Sequence, residues 1–291
     1  GTPVTSHCGR PRRTNTQRTP LNVQQLGDVT DRTAYLCASD LDVLTPAEDD
    51  RNSRWDDAKV AEMESHVLEH DTFYITPLPP DRKAIGSRWV VKEKPDKLKA
   101  RFTPKGYSQK QDVDYKETWA PVAKLVTLRV FLTLIAILCL HTCQLDLKTA
   151  FLNAIVEEEI FVEPLYDMCD ILKSLLRRTT DWTHRIKIAR FIRQLASGGV
   201  LRLKKAIYGL KQAPREWWKT LHSFLLELGF KPNKADTCFY VLHLSENVFV
   251  LLLLYVHDIL LAATSAALVS LVAAKISARF RVSSEGPLHN Y

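Results

Sequence analysis

The stretch VFVLLLLYVHDILLAA (248–263) decides the fold, because a two-residue polar break interrupts an otherwise apolar run. Its flanks are rich in Val, Leu and Ile, and such a break between two strand-forming runs predicts a β-hairpin with His257 and Asp258 at its tip. A carboxylate without compensation inside buried β-structure costs several kcal/mol. We therefore expect a cation or a strong hydrogen-bond network beside Asp258.

A second carboxylate has a similar setting earlier in the chain. Asp146 lies in QLDLKTAFLNA (144–154), just after the apolar run FLTLIAILCL (131–140). Two such acids brought together across neighbouring strands form an all-oxygen site for Mg²⁺. The alternative is a plain hairpin that uses Asp as a common turn residue, and the hairpin alone does not decide between them.

Further strings add to this pair. In chain order they are IGSRWVVKEK (85–94), KARFTPKGYSQK (99–110), DYKETWAPV (114–122), QLDLKTAFLNA, YGLKQAPREWW (208–218) and the hairpin that follows Tyr255. Together they resemble the reverse transcriptase (RNA-dependent DNA polymerase) domain of copia-type LTR retrotransposon polyproteins, over roughly residues 53–291. In that family the hairpin reads Tyr-Val-Asp-Asp and the first Asp is a metal ligand, whereas this chain has His257 at that position.

The resemblance implies an α+β fold. It would contain the fingers and palm of a right-hand polymerase, with a ferredoxin-like palm sheet and flanking helices, and would lack the thumb and RNase H. We expect a flexible linker over 1–50, a fingers-like region over 51–125 and a palm-like region over 126–291 with an atypical insertion at 165–200.

The resemblance also implies roles for individual residues. The catalytic residues would be Asp146, Asp258 and, at the family's Asp position, His257, with Asp146 and Asp258 as the metal ligands. Substrate-binding residues would be Arg101 and Lys99 at the triphosphate, Phe151 under the sugar, Lys211 at a phosphate, Gln212 at the nucleotide or template, and Tyr255. The residues alone leave simpler alternatives open, namely a solvated basic edge strand around Arg101 and a core aromatic at Phe151.

Composition excludes few classes of protein. The chain has 291 residues, 46% of them hydrophobic, and a net charge of +7 that suits a polyanionic partner. Six cysteines include no CxxC pair, which argues against a zinc knuckle or a disulfide framework. We see no signal peptide and no transmembrane segment, so we expect a cytoplasmic and/or nuclear protein, in the family within a virus-like particle.

The segment 170–199 is rich in Lys and Arg and matches none of the family's strings. Ile186, Ala189, Ile192 and Leu195 recur at helical spacing before a Gly-Gly stop. One interpretation is a basic amphipathic helix that binds nucleic acid. The other, which we favour, is an unselected insertion placed where a short loop would suffice.

The resulting functional hypothesis is a copia-type reverse transcriptase fragment. It would use two Mg²⁺ ions, or Mn²⁺, to build DNA from dNTPs on an RNA or DNA template-primer, and His257 would impair it. Integrase and RNase H are further polyprotein parts that the family implies, and we expect no membrane partner. The alternatives are a non-catalytic retroelement relic or domesticated nucleic-acid-binding protein, and a transition-metal site with other chemistry.

Overall fold

A computed structural model describes residues 53–95 and 97–286, so the predicted linker 1–50 lies outside the described residues. The α-helices are α1 (Asp56–Glu64), α2 (Leu125–Ile137), α3 (Met168–Arg178), α4 (Trp182–Ala196), α5 (Ala213–Glu227) and α6 (Ala266–Arg279). The strands are β1 (Phe73–Thr76), β2 (Ser87–Glu93), β3 (Leu98–Pro104), β4 (His141–Leu147), β5 (Phe161–Val162), β6 (Val200–Leu203), β7 (Lys231–Pro232), β8 (Phe239–Ser245), β9 (Val248–Tyr255), β10 (Asp258–Ala263) and β11 (Val282–Gly286). A π-helical segment, Ser65–Glu69, extends α1, and short 3₁₀ helices cover Ser53–Trp55, Gly106–Ser108 and Ala150–Asn153. This mixture of helices and antiparallel sheets confirms the predicted α+β class.

The largest sheet has six strands in the order β11-β4-β10-β9-β8-β7, all paired antiparallel. Successive side chains of a strand point to opposite faces of the sheet. On one face Leu253 and Leu260 belong to a small core with Phe131 of α2. On the other face Leu254 and Ile259 belong to the main core, which includes residues of α5 and α6. Because helices cover both faces, the strands around the hairpin are apolar without alternation.

The hairpin between β9 and β10 differs from the prediction by one residue. Its tip consists of Val256 and His257, because Tyr255 pairs with Asp258 as the last rung of the ladder. The prediction placed Asp258 in the turn, which is wrong. Asp258 is the first residue of β10 and is held in the sheet from both sides, by Tyr255 of β9 and by Asp146 of β4.

A second group of elements lies beside this sheet. β1, β6 and β5 form a three-stranded sheet, and β2 and β3 form a separate hairpin. The strands β1 and β6 come from the two different regions that the sequence predicted, yet they pair directly, from Phe73 opposite Leu203 to Thr76 opposite Val200. The predicted boundary at residue 125 therefore separates strands that share one sheet, and the division into fingers-like and palm-like regions stays a prediction.

The segment 165–200 is part of the core. It forms the helical hairpin α3–α4, and eight of its side chains are buried in the main cluster: Leu165, Met168, Ile171, Leu172, Leu175, Ile188, Phe191 and Leu195. At the start of α3, Asp167 accepts hydrogen bonds from Lys59 Nζ (3.0 Å) and from Trp89 Nε1 (2.9 Å), so it joins α1 to β2. The interpretation of this segment as an insertion that the fold does not need is wrong, because removing it would expose the core beneath it.

Among the helices that the structure describes, none is long and apolar enough to cross a membrane.

Candidate active site

The predicted metal ligands Asp146 and Asp258 lie side by side on neighbouring strands. Asp258 of β10 is directly opposite Asp146 of β4, and on its other side directly opposite Tyr255 of β9. Directly opposite residues of antiparallel strands project from the same face of the sheet. Asp146, Asp258 and Tyr255 therefore form one row across three strands, in which the aspartates are 18% and 26% exposed and the tyrosine 42%.

His257 completes a group of three potential ligands. Its Nε2 lies 3.9 Å from Asp146 Oδ1 and 4.0 Å from Asp258 Oδ2. The main chain fixes this position, because Leu147 N donates a hydrogen bond of 2.9 Å to His257 O and so ties the end of β4 to the hairpin tip. The structure thus brings together all three residues that the sequence predicted to be catalytic.

The turn that carries His257 is strained. Val256 has a φ of +57°, a left-handed conformation that is unfavourable for a β-branched residue. The indole Nε1 of Trp217 donates a hydrogen bond of 2.8 Å to Val256 O. Trp217 is buried on α5 against Phe280, with the two ring centroids 5.4 Å apart. The core of the protein therefore holds the turn in place, and no pattern in the sequence indicated this role of Trp217.

Lys148 was not among the predicted site residues, yet it is part of the site. Its ammonium group forms an ion pair with Oδ2 of Asp146, the carboxylate oxygen that His257 does not approach. Lys148 follows β4 directly, and its own main-chain N donates to Arg281 O. A basic residue two positions after Asp146 was visible in the sequence, but its contact with that carboxylate was not.

The donor set matches a hard divalent cation only in part. The two adjacent carboxylates are the ligands that Mg²⁺ prefers, whereas the imidazole of His257 suits zinc, copper or iron better than magnesium. Two carboxylates carry one negative charge fewer than three. The site therefore offers Asp146 and Asp258 to a hard cation, and it lacks the further carboxylate that the two-ion arrangement of an intact site would use.

The predicted substrate residues Arg101 and Phe151 meet through a residue that the sequence analysis did not single out. The guanidinium carbon of Arg101 lies 4.2 Å from the ring centroid of Tyr208, and the ring centroids of Tyr208 and Phe151 are 4.5 Å apart. Phe151 is buried, in the 3₁₀ helix that follows Thr149, a residue with a φ of +50°. Tyr208 thus connects β3 to the segment after β4, and Phe151 is a core aromatic whatever its further role.

Lys99 is on the same strand as Arg101, two residues away and therefore on the same face. Burial, followed by the nearby charges of Arg101 and Lys94, lowers the pKa of Lys99 from its ordinary value to about 8. A partly buried cation beside another cation is a position where an anion would be stabilised.

Lys211 and Gln212 are engaged with the loop that follows β3. Gln212 is 1% exposed, and its amide donates to Asp114 O (2.7 Å) and accepts from Gln109 Nε2 (3.0 Å). The ammonium of Lys211 lies 3.3 Å from the hydroxyl of Tyr115. In this arrangement Gln212 holds the loop, and contact between its side chain and a nucleotide would require these bonds to break.

A pair of glycines joins the same loop to YGLKQAP. Gly209 has a φ of +99°, and a Cβ there would lie 2.5 Å from Pro104 O. A Cβ on Gly106 would lie 1.9 Å from Gly209 O. Both glycines are required for this close approach of main chains, which places Tyr208 over Phe151. Glycine is needed at position 209 because of contact with the protein's own main chain.

Comparison with known proteins gives the family. The family model described as reverse transcriptase (RNA-dependent DNA polymerase) matches residues 70–173 and 179–291, and so includes most of the segment 165–200 in which we expected no resemblance. The retrovirus-related Pol polyprotein from transposon TNT 1-94 of Nicotiana tabacum is 33% identical over 232 residues, 78% of this chain and 16% of that protein. That from transposon RE2 of Arabidopsis thaliana is 30% identical over 83% of this chain and 15% of its own length. The transposon Ty1-H Gag-Pol polyprotein of Saccharomyces cerevisiae is 24% identical over 62% of this chain and 8% of its own length. The chain thus spans a small part of these relatives, and it belongs to the reverse transcriptase domains of copia-type retrotransposon Pol polyproteins.

Proposed function

We propose that this domain catalyses template-directed addition of deoxynucleotides to a primer 3′-hydroxyl, and that His257 makes it weak in Mg²⁺. The observation that carries the proposal is the row of Asp146, Asp258 and Tyr255 across three paired strands. Catalysis of phosphoryl transfer consists mainly of positioning and electrostatic stabilisation. A pair of carboxylates on two interior strands of the sheet is suited to that task.

When bound, Mg²⁺ would neutralise the charge that develops on the oxygens of the transferred phosphoryl group. Asp146 and Asp258 are the residues that would hold it. Lys148 keeps the Asp146 carboxylate oriented through its Oδ2, and Trp217 keeps the turn in position through Val256 O. His257 stands where the family has a third acid, so the site lacks one anionic ligand.

On the substrate side, we assign the triphosphate to Arg101 and Lys99. Arg101 is already oriented by the ring of Tyr208, and its guanidinium would donate charge-assisted hydrogen bonds to phosphate oxygens. Phe151 packs against Tyr208, and we assign it to the position under the sugar. Tyr255 would contact the primer end, and Lys211 and Gln212 would act by holding the loop 109–115.

The same proposal assigns the larger elements of the fold to parts of a polymerase. The six-stranded sheet with α2, α5 and α6 would be the palm, the β2–β3 hairpin would be the tip of the fingers, and template-primer would lie across them. The polyprotein relatives favour integrase and RNase H as neighbouring parts and a cytoplasmic and/or nuclear site of action.

The test is single-nucleotide incorporation by His257→Asp on an RNA template. We expect incorporation of the complementary nucleotide in Mg²⁺, and its loss when Asp146→Ala is added to the same protein. Incorporation that ignores the template, or that survives Asp146→Ala, would contradict the proposal.

A second candidate function is nucleic-acid binding without synthesis, which the imidazole at position 257 and the net charge of +7 favour. Binding of primer-template would then weaken steeply with salt, because phosphate contacts release counterions. The His257→Asp variant distinguishes the two candidate functions. If the domain is a polymerase, this variant synthesises DNA. If the domain only binds nucleic acid, the variant has the same affinity for primer-template and synthesises no DNA.

A further inference from the structure

The donor set around His257 points to an ion other than the one that the family's carboxylates would take. Among the described residues, Asp146, His257 and Asp258 form the one group of three His, Cys, Asp or Glu side chains whose ligand atoms all lie within 4.8 Å of one another. We infer that these residues form a single-ion site that selects a transition-metal ion of the zinc or manganese class over magnesium. The inference rests on the site of the proposed function, but it does not need synthesis.

The geometry is close to that of a bound ion. Zn²⁺ binds His nitrogen and carboxylate oxygen at about 2.0–2.2 Å, which puts tetrahedral ligand atoms about 3.3 Å apart. His257 Nε2 is 3.9 and 4.0 Å from the two carboxylate oxygens, so these two pairs must each close by well under 1 Å, and all three ligand atoms already lie within 4.8 Å of one another. His257 lies at a turn with a side chain that is 38% exposed, and a rotation of its ring can supply this movement.

The chemistry favours the same class of ion. Imidazole and carboxylate together suit Zn²⁺ and Mn²⁺, whereas Mg²⁺ requires near-octahedral oxygen ligands and dehydrates reluctantly. Two carboxylates and a neutral imidazole balance the charge of one divalent ion. They do not balance two, so we infer a single ion.

Lys148 supports the site without blocking it. Its ammonium pairs with Asp146 Oδ2, while Oδ1 is the oxygen that faces His257. A partner on the outer oxygen of a ligating carboxylate is the usual arrangement around bound metals, where it fixes the ligand's orientation. The ion therefore has Asp146 Oδ1 to bind without displacing Lys148.

The test is calorimetric titration of the full chain with ZnCl₂, MnCl₂ and MgCl₂, together with the visible absorption of added Co²⁺. We expect Zn²⁺ to bind with a stoichiometry that falls by one ion per chain in His257→Ala and in Asp146→Asn, and Co²⁺ to lose its low-coordinate absorption in both. His184→Ala is the matched control, because His184 is also exposed and also lies near an aspartate, Asp181. His7 and Cys8 are also residue types that bind Zn²⁺, but every variant contains them. The difference in stoichiometry between variants therefore reports on the hairpin site alone.

In His257→Asp we expect the preference for Zn²⁺ to narrow, with Zn²⁺ weakened about tenfold or more relative to Mg²⁺. Equal Zn²⁺ binding by the parent and His257→Ala would overturn the inference, as would Mg²⁺ that displaces Zn²⁺ at equal concentration. If either of these results is found while His257→Asp carries out template-dependent synthesis, only the inferred metal preference is wrong and the proposed function stands. If the parent binds Zn²⁺ through His257 but His257→Asp makes no DNA, the proposed function falls and the metal site stands.

Discussion

The hairpin site and the α3–α4 hairpin differ in how much their sequences resemble the family and in what each does for the fold. The site follows the family's strings closely, yet it departs at one residue, His257, where the departure affects chemistry. The α3–α4 segment matches none of the strings that we recognised, yet six apolar side chains within its residues 170–199 lie in the main core. In this chain the sequence motifs therefore identify the residues of the candidate site, whereas burial of apolar side chains identifies the segments that the fold requires.

The comparison is tested most strongly by deleting residues 170–199 and closing the gap with a short Gly-containing loop. Each buried Leu, Ile or Phe side chain contributes about 1.5–3 kcal/mol, so six of them are worth roughly 10 kcal/mol, as much as the whole stability of a typical domain. We predict loss of the cooperative thermal transition in calorimetry. A sharp transition near the parent's melting temperature would show that the segment is dispensable.

A point substitution sharpens the same claim without removing the segment. Phe191 is 6% exposed and its ring centroid is 5.9 Å from that of Phe73, so Phe191→Ala should cost about 3–5 kcal/mol. Ile186 lies on the same helix but is 52% exposed, and Ile186→Ala should cost less than about 0.5 kcal/mol. Urea unfolding of the two variants measures the difference. Equal costs would mean that α4 does not pack as described.

This pair of residues also shows what the sequence could and could not predict. The helical periodicity of the segment was correct, but it placed Ile186, Ala189, Ile192 and Leu195 on the apolar face, and of these only Leu195 is among the buried residues Ile188, Phe191 and Leu195. A stretch with apolar residues all around the helix allows several faces, and only the position of β1 selects one. The break between α3 and α4 at Asp181, whose carboxylate accepts from His184 N (2.8 Å), was also missed.

At the site, the sequence predicted which residues meet but not how they are held. Apolar runs with isolated acids predicted the hairpin, and the resemblance to the family then favoured the pairing of Asp146 with Asp258 over a plain turn. The turn was displaced by one residue because Val256 adopts a left-handed conformation that its residue type disfavours. Contacts made over long sequence separations, such as Tyr208 with Arg101 and Trp217 with Val256 O, leave no local pattern.

The strained turn gives a smaller effect of opposite sign. Val256→Gly removes a left-handed strain of about 1–2 kcal/mol and adds a chain-entropy cost of about 0.5–1 kcal/mol, so we predict a net gain of about 0.5–1 kcal/mol in the free energy of unfolding. Val248→Gly in β9, where φ is not positive, should instead destabilise the protein. Midpoints of urea unfolding distinguish the two. A loss of stability in Val256→Gly would mean that the turn stores no strain.

The smallest effect concerns pH. The pKa of Lys99 is lowered to about 8, so the free protein loses this charge as pH rises through that value. If Lys99 meets the triphosphate, nucleotide binding takes up a proton, and affinity should fall roughly threefold to tenfold between pH 7 and pH 9. Lys99→Arg should flatten the profile, whereas Lys110→Arg should leave it unchanged. A profile that is the same in the parent and Lys99→Arg would remove Lys99 from the binding site.

We propose that the other residues of the active site are in place and that His257 alone limits the rate of nucleotide incorporation in Mg²⁺. The most direct test of this claim is the single-turnover rate of nucleotide incorporation in Mg²⁺ by the parent and by His257→Asp, measured on the same primer-template. The missing carboxylate corresponds to about 4–7 kcal/mol of transition-state stabilisation, so we predict that His257→Asp is faster by roughly 10³ to 10⁵ and that the parent is near the limit of detection. Robust Mg²⁺-dependent incorporation by the parent, at a rate that His257→Asp does not exceed, would contradict the account.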